Sequence, residues 1–326
     1  MSAIPLAGKV CIVTGATRGI GKGIALQLAE KGGKIYITGR TLDPPKGSGV
    51  GGSLRDTVDE IKARGGTCIP VQCDHSKDAD IERLFDQVKR ENEGRLDVLV
   101  NNAYSANNDL LDSLGATFWE ISTDMWDNVN IVGLRNHYMC SVYAARMMVP
   151  RKRGLIVNVS SAGGLRYMFN VAYGIGKEAC DRMAADCGYE LKKHNVAFVS
   201  LWPGLVATET ALYKFNNVDV LKHKEIAGGL GLKQVVEQGE TIEFTGQCVA
   251  ALANDPDIMK VSGKTVLTCD LARKYGLKDK EGRVTMDITQ VNVLLNRSGH
   301  SWLAYLVPNF VRIPKWLLAL GGNKFA

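Results

Sequence analysis

Tyr173 and Lys177 stand four residues apart in the run YGIGK, and a phenol and an ammonium at that interval meet only if the backbone between them is helical. A free phenol titrates near pH ~10 and is a poor proton donor or acceptor at neutrality, so a neighbouring cation is what makes it useful. Gly174 and Gly176 inside the run suggest a turn or a phosphate cradle instead. The residues that follow, EACDRMAADCGYELKKH, decide otherwise: Ala179, Met183, Cys187 and Leu191 recur every four positions, so a helix is under way just beyond the glycines. Glycine costs less in opening turns than in a helix interior, and it leaves room for a bound molecule. The segment before the helix ends in two serines, Ser160 and Ser161, either of which could face a reacting atom or merely cap.

A second constellation lies near the start of the chain. TGATRGIG (14 to 21) carries Gly15, Gly19 and Gly21, with Ile20 between the last two, after a strand-like run and before a helical one. In that context glycines permit a tight turn and the approach of a pyrophosphate to the positive end of a helix. The spacing is GxxxGxG rather than the common GxGxxG. Arg40 closes the next strand, where dinucleotide folds meet the adenosine ribose. A carboxylate there favours NAD, whereas a guanidinium pairs with a 2′-phosphate; with Arg18 inside the glycine loop, the charges point to NADP(H).

The elements that must position these groups alternate regularly. Strand-like runs KVCIVTG (9 to 15), KIYITGR (34 to 40), TCIPVQCD (67 to 74), LDVLVNNA (96 to 103), GLIVNVSS (154 to 161), VAFVSLWPG (196 to 204) and KTVLTCD (264 to 270) are separated by amphipathic stretches. One of these carries Ile81, Leu84, Phe85 and Val88; another, longer, runs from about Trp126 to Met148. Apolar strands separated by helices imply a parallel sheet covered on both faces, the doubly wound α/β arrangement, with sites at the carboxyl ends of the strands. LDPPKGSGVGGS (42 to 53) reads as a long flexible loop.

The chain has 326 residues, 45% hydrophobic and 23% charged, which excludes a disordered or fibrous protein. Its formal charge of +6 is mild and its cations are dispersed, which argues against nucleic acid as a partner. The eight cysteines form no CxxC pair, and neither Cys nor His falls at zinc-ligand spacing, so no metal site is expected and the thiols read as reduced and buried. The five histidines show no partner pattern and read as packing residues. The start lacks a secretory pattern and no apolar run is long enough to span a bilayer, so a cytoplasmic location is expected.

Taken in order, TGATRGIG, Asp74, NNA (101 to 103), Asn130, Ser161, the Tyr173 and Lys177 pair, and PGLVAT (203 to 208) resemble the short-chain dehydrogenase/reductase family over residues 9 to about 270. More narrowly, NNAY, MWDNVNIVGLRNHY, SLWPG, CDLARKYGL and RIPKWLLAL resemble one branch of it. The resemblance implies a Rossmann-like domain over 1 to 272 that includes a substrate loop at about 205 to 240, followed by a C-terminal extension over 273 to 326. It implies that Tyr173 passes a proton to or from the substrate oxygen while hydride moves to or from nicotinamide. Lys177 then tunes the phenol and holds the ribose, Ser161 steadies the reacting oxygen, and Asn130 kinks its helix and holds a water that relays protons to Lys177. Asp74 would contact adenine, Asn101 and Ala103 would line the cofactor cleft, and Pro203, Gly204, Val206 and Thr208 would hold the carboxamide end. Family members commonly have glycine after NNA, whereas this chain has Tyr104, expected at the substrate entrance.

Tyr104, Tyr167 and Phe169, with Met168 nearby, suggest a pocket for a bulky apolar carbonyl or secondary alcohol, and the resemblance implies steroid-like ketones or xenobiotic carbonyls and a homo-oligomer. Two other functions stay open: a dinucleotide-binding scaffold or redox sensor without turnover, and a reductase of acyl-CoA derivatives. The tail SWLAYLVPNFVRIPKWLLAL (301 to 320) also has two readings. It packs on its own fold or a neighbouring subunit, or its aromatics and cations settle in a lipid interface, with the branch resemblance implying the endoplasmic reticulum.

Overall fold

The computed structural model describes residues 5–44, 50–217, 239–282, 287, 289–297 and 299–320. Among these, seven strands form one sheet: β1 (Val10–Val13), β2 (Lys34–Gly39), β3 (Thr67–Gln72), β4 (Val98–Asn101), β5 (Gly154–Val159), β6 (Val196–Trp202) and β7 (Thr265–Leu267). Their spatial order is β3-β2-β1-β4-β5-β6-β7, and every neighbouring pair is parallel. The order reverses between β1 and β4, which opens a crevice at their carboxyl ends. Pro70 lies within β3, which pairs only with β2; an edge strand tolerates the missing donor.

Alternation along each strand divides its side chains between two cores. In β1, Cys11 and Val13 enter one and Val10 and Ile12 the other; in β6, Ala197, Val199 and Leu201 oppose Val196 and Phe198. Helices α1 (Gly19–Glu30) and α2 (Leu54–Ala63) cover the first core, and α3 (Asp78–Glu91) the second. Past α4 (Asn107–Asp112) and α5 (Asp124–Asn130), the second core is also covered by α6 (Asn136–Met148) and α7 (Val171–Leu191). After α8 (Glu209–Asn217), helix α9 (Ile242–Asn254) returns to the first. Burying each large apolar side chain contributes about 1.5–3 kcal/mol, so the periodicity is energetic as well as geometric.

Two elements differ in extent from their sequence patterns. The longer helical stretch around Trp126 to Met148 is interrupted after Asn130, where Val132 (φ −115°, ψ 91°) and Gly133 (φ 155°) leave helical geometry and Asn136 Oδ1 accepts from Gly133 N at 2.7 Å. The glycine makes that backbone accessible, and the asparagine restarts the helix. The strand expected over 264–270 ends at Leu267, because Thr268 opens α10 (Thr268–Tyr275), which Gly276 stops at φ 66°.

The C-terminal extension forms short helices α11 (Val291–Arg297), α12 (Ser301–Leu306) and α13 (Lys315–Leu320). It is fastened to α10 through Asp287, which accepts from Arg273 and from Arg312 at 2.9 Å, and through the Lys315–Asp270 pair. Its aromatic side chains do not pack onto the domain: Tyr305 is 91% exposed and Phe310 75%. No helix among the described residues is long and apolar enough to cross a membrane.

Candidate active site

The glycine loop is clamped against the end of β4. Thr14 Oγ1 accepts from the Asn102 and Ala103 amides at 2.9 and 3.0 Å, and Asn102 Nδ2 donates to the carbonyls of Thr14 and Gly15 at 2.8 and 3.0 Å. Gly15 adopts φ 69°, and a Cβ there would lie 2.7 Å from Ala103 Cα. Asn101, expected in the cleft, is corrected: its side chain is fully buried and donates to Asn158 Oδ1 and Ser141 Oγ at 2.8 and 3.0 Å. Asn102, its neighbour on the opposite face of the chain, is the asparagine that shapes the crevice. Two adjacent identical residues gave no local signal to choose between them.

Helix α1 begins at Gly19 behind an extended Arg18 that caps with no side-chain bond, so its first amides point into the crevice. Gly19 N donates to Glu209 Oε2 at 2.9 Å, a carboxylate lodged where an anion is favoured. The narrow cradle and the α1 amides fit a pyrophosphate. Arg18 and Arg40 are both exposed; the Arg18 guanidinium donates to Gly51 O, and Arg40 O accepts from Gln72 at 2.8 Å. Burial works against Asp74 ionising, but Ser76 donors and the charges of Arg40 and Lys77 hold it below the usual carboxylate range. Ile20 is half-buried against the first core.

At the opposite wall, Glu240 staples the segment 203–208. Its amide donates to Leu205 O at 2.7 Å and its carbonyl accepts from Ala207 N at 2.9 Å, beside Val206. Its Oε1 accepts from Thr268 Oγ1 at 2.7 Å, and that hydroxyl accepts from Gly204 N at 3.2 Å. Burial, reinforced by Asp279, pushes the carboxyl up to about 7. Glu240 was not foreseen; in GETIEF nothing local separates it from the acids of a helix start. Thr208 Oγ1 accepts from Ala211 N at 3.2 Å as α8 begins, and of the expected substrate loop, 218–238 lie outside the described residues.

Helix α7 opens two residues before Tyr173, whose amide donates to the capping Asn170 side chain at 2.9 Å. Tyr173 and Lys177 are each 8% exposed, and the Lys177 ammonium lies 5.8 Å from the Tyr173 ring centroid while donating to Val159 O at 3.2 Å. The choice between serines follows from burial. Ser160 turns inward and donates to Lys177 O at 3.1 Å, whereas Ser161 is half-exposed at the head of the turn before α7 and accepts from Gly163 N at 3.1 Å. Asn130 ends α5 with its Nδ2 donating to Trp126 O at 3.1 Å; its Oδ1 is buried with no partner among the described residues. A Cβ at Gly176 would sit 2.3 Å from that oxygen, so Asn130 abuts α7 one residue before Lys177. Asp181, one turn beyond Lys177, was also not foreseen. It accepts from Ser200 and from Trp202 Nε1 at 3.0 Å, tying α7 to β6, and burial raises its carboxyl above the usual range.

Phe169, at φ 60°, presents its ring 5.0 Å from that of Tyr173, edge to face. With Ala106, Leu110, Val129, Met125 and Met168 it forms a small apolar cluster around Tyr173. Tyr167 is corrected: it stands at the surface, 71% exposed, with its hydroxyl on Phe169 O at 3.3 Å. Tyr104 is half-buried beside the pair, its ring centroid 6.2 Å from that of Tyr173 and 5.1 Å from Lys177 Nζ. His75 and His137 are core pegs: His137 Nε2 donates to Ala103 O at 3.2 Å, and burial lowers the two rings to about 4 and about 3.

The model for short chain dehydrogenase matches residues 9–218. The chain is 50% identical over 324 residues to Dehydrogenase/reductase SDR family member 1 of Homo sapiens, covering 99% of this chain and 100% of that protein. It is 30% identical over 234 residues to NADPH-dependent aldehyde reductase 2, chloroplastic, of Arabidopsis thaliana, covering 69% of this chain and 83% of that one. Among solved structures, a metagenomic short-chain oxidoreductase in complex with NADP aligns with a TM-score of 0.61 at 26% identity, over 81% of this chain and 97% of that one.

Proposed function

The chain belongs to the short-chain dehydrogenase family, and from that premise we propose that it is an NADP(H)-dependent oxidoreductase acting on bulky apolar carbonyls or secondary alcohols. The observation that carries this is the placing of Tyr173 and Lys177 on one face of α7, both nearly buried, beside a half-exposed Ser161. When bound, the dinucleotide supplies or takes the hydride. Tyr173 gives the substrate oxygen its proton, or accepts it in the oxidative direction; Lys177 stabilises the phenolate that results, and Ser161 donates to the oxygen as charge develops there. The α1 amides would hold the pyrophosphate, and the segment stapled by Glu240 would hold the carboxamide.

NADP over NAD is supported by Arg18 and Arg40, whose exposed guanidinium groups match a 2′-phosphate, and by the cofactors that two similar proteins carry in their names. Arg40→Asp should lower the NADPH to NADH preference by at least about tenfold, read as a ratio of kcat/KM values; an unchanged ratio would remove this assignment. The apolar cluster around Tyr173 supports a steroid-like or xenobiotic carbonyl. NADPH turnover over steroids, quinones, aldehydes and acyl-CoA substrates, with Tyr173→Phe as control, tests the whole reading, and silence on all of them would favour a binding scaffold.

Exposed Tyr138 and Tyr189 on α6 and α7 support a homo-oligomer across those helices, to be read by sedimentation. The exposed aromatics of 301–320 support peripheral lipid contact of the kind expected at the endoplasmic reticulum, while the nearby cations Arg312 and Lys315 are paired with Asp287 and Asp270. A chain lacking 301–326 that pellets with anionic vesicles as the full chain does would remove that contact.

A further inference from the structure

Lys177 carries a nearly buried ammonium whose only hydrogen-bond acceptor among the described residues is Val159 O, at 3.2 Å. Asp181, one turn further along α7, adds a charge interaction but no hydrogen bond, and burying a charge with so little direct compensation is costly, so other groups help to hold it. Two rings stand within cation–π range: Tyr104, whose centroid is 5.1 Å from Nζ, and Tyr173, at 5.8 Å, with the rings 83° apart. Tyr173 reacts; Tyr104 does not. We propose that Tyr104 is a positioning residue, whose ring face confines the Lys177 ammonium beside Tyr173. This rests on the reading above that Tyr173 and Lys177 form the proton-transfer pair.

The ring is suited to that task because it is fixed from several sides. It lies on the backbone of the break after α5: a Cβ at Gly133 would come within 2.7 and 2.9 Å of Tyr104 Cδ2 and Cε2, so that glycine is what lets the ring in. The residue before it is held by His137, and the residue after it by Ser105 N on Val132 O at 3.2 Å and Ser105 Oγ on Asn128 O at 2.8 Å. The helix break and the aromatic residue thus form one unit that supports the ammonium. The Tyr104 hydroxyl is buried with no partner among the described residues, and burial raises the phenol far above its ordinary range, so the ring stays neutral with its π face intact. The face, rather than the hydroxyl, is therefore the acting part.

The test compares Tyr104→Phe with Tyr104→Leu in the full chain, reading both the pH profile of kcat on a carbonyl the chain reduces and NADPH binding by fluorescence. Tyr104→Phe should stay within about twofold of the parent with an unmoved profile. Tyr104→Leu should weaken NADPH binding about threefold or more and move the profile midpoint to higher pH by about half a unit. A Leu variant with parental binding and profile overturns the proposal, as does a Phe variant that loses as much as Leu. Should Leu fail to fold, fluorinated phenylalanines at 104 drain the ring face at nearly constant size: stepwise weaker NADPH binding with added fluorine supports the proposal, and a flat series overturns it. Tyr173→Phe separates the two readings. If it stays active, the proton-donor assignment fails; if it is inactive while the position 104 series is flat, only the role of Tyr104 fails.

Discussion

Tyr173 sits edge to face with Phe169 and Tyr104, and its phenol shares a nearly dry setting with one ammonium. On the proposed function, that hydroxyl is the group that moves the proton. Tyr173→Phe should cut kcat by about a hundredfold or more, the range for a lost acid–base group, while NADPH binding measured by fluorescence stays within a few fold. Ser160→Ala is the contrasting case. Because Ser160 donates to Lys177 O inside the core, its loss should appear as a lowered Tm, whereas Ser161→Ala should lower kcat with little change in Tm.

At the scale of elements, two carboxylates govern the cofactor crevice. Glu209, first residue of α8, occupies the Gly19 amide at the start of α1, the position an incoming pyrophosphate needs. Glu209→Gln should therefore tighten NADPH about three- to tenfold by titration calorimetry, and weaker binding would show that the carboxylate orders the crevice instead. Glu240 gives a pH dependence with a definite sign. Its folded carboxyl is raised to about 7, so as pH climbs from the ordinary carboxylate range through 7 the unfolded chain releases its proton first and the fold loses stability. Thermal melts of Glu240→Gln and the parent between pH 5 and 8 should show the parent losing Tm relative to the variant as pH rises, and parallel curves would refute the buried acid.

On the scale of the whole molecule, the extension depends on Asp287, which is 4% exposed and receives Arg273, Arg312 and the Thr289 hydroxyl. Removing that carboxylate takes the ion pair from Arg312 and leaves Arg273 with Asp270 alone. Asp287→Ala should release the region after Tyr275 to limited proteolysis at a rate at least about tenfold higher, with the sheet domain intact by circular dichroism. An unchanged cleavage pattern would mean that the Lys315–Asp270 pair and the bonds of Asp279 to Thr241 N and of Lys280 to Glu243 suffice to hold it.

The sequence by itself determined what is local: the strand and helix alternation, the glycine turn before α1, and the interval that puts Tyr173 and Lys177 on one face, because periods of two and of nearly four are properties of a single segment. Tertiary structure decided what depends on direction. Which asparagine of Asn101 and Asn102 shapes the crevice, and which serine of Ser160 and Ser161 is buried, follows from how a strand end is paired and twisted against its neighbours. Tyr104 is legible as an aromatic beside the site, but its seat needs the break at Gly133, some thirty residues later in the chain, to admit the ring. A segment's own pattern carries no record of the space that another segment leaves for it.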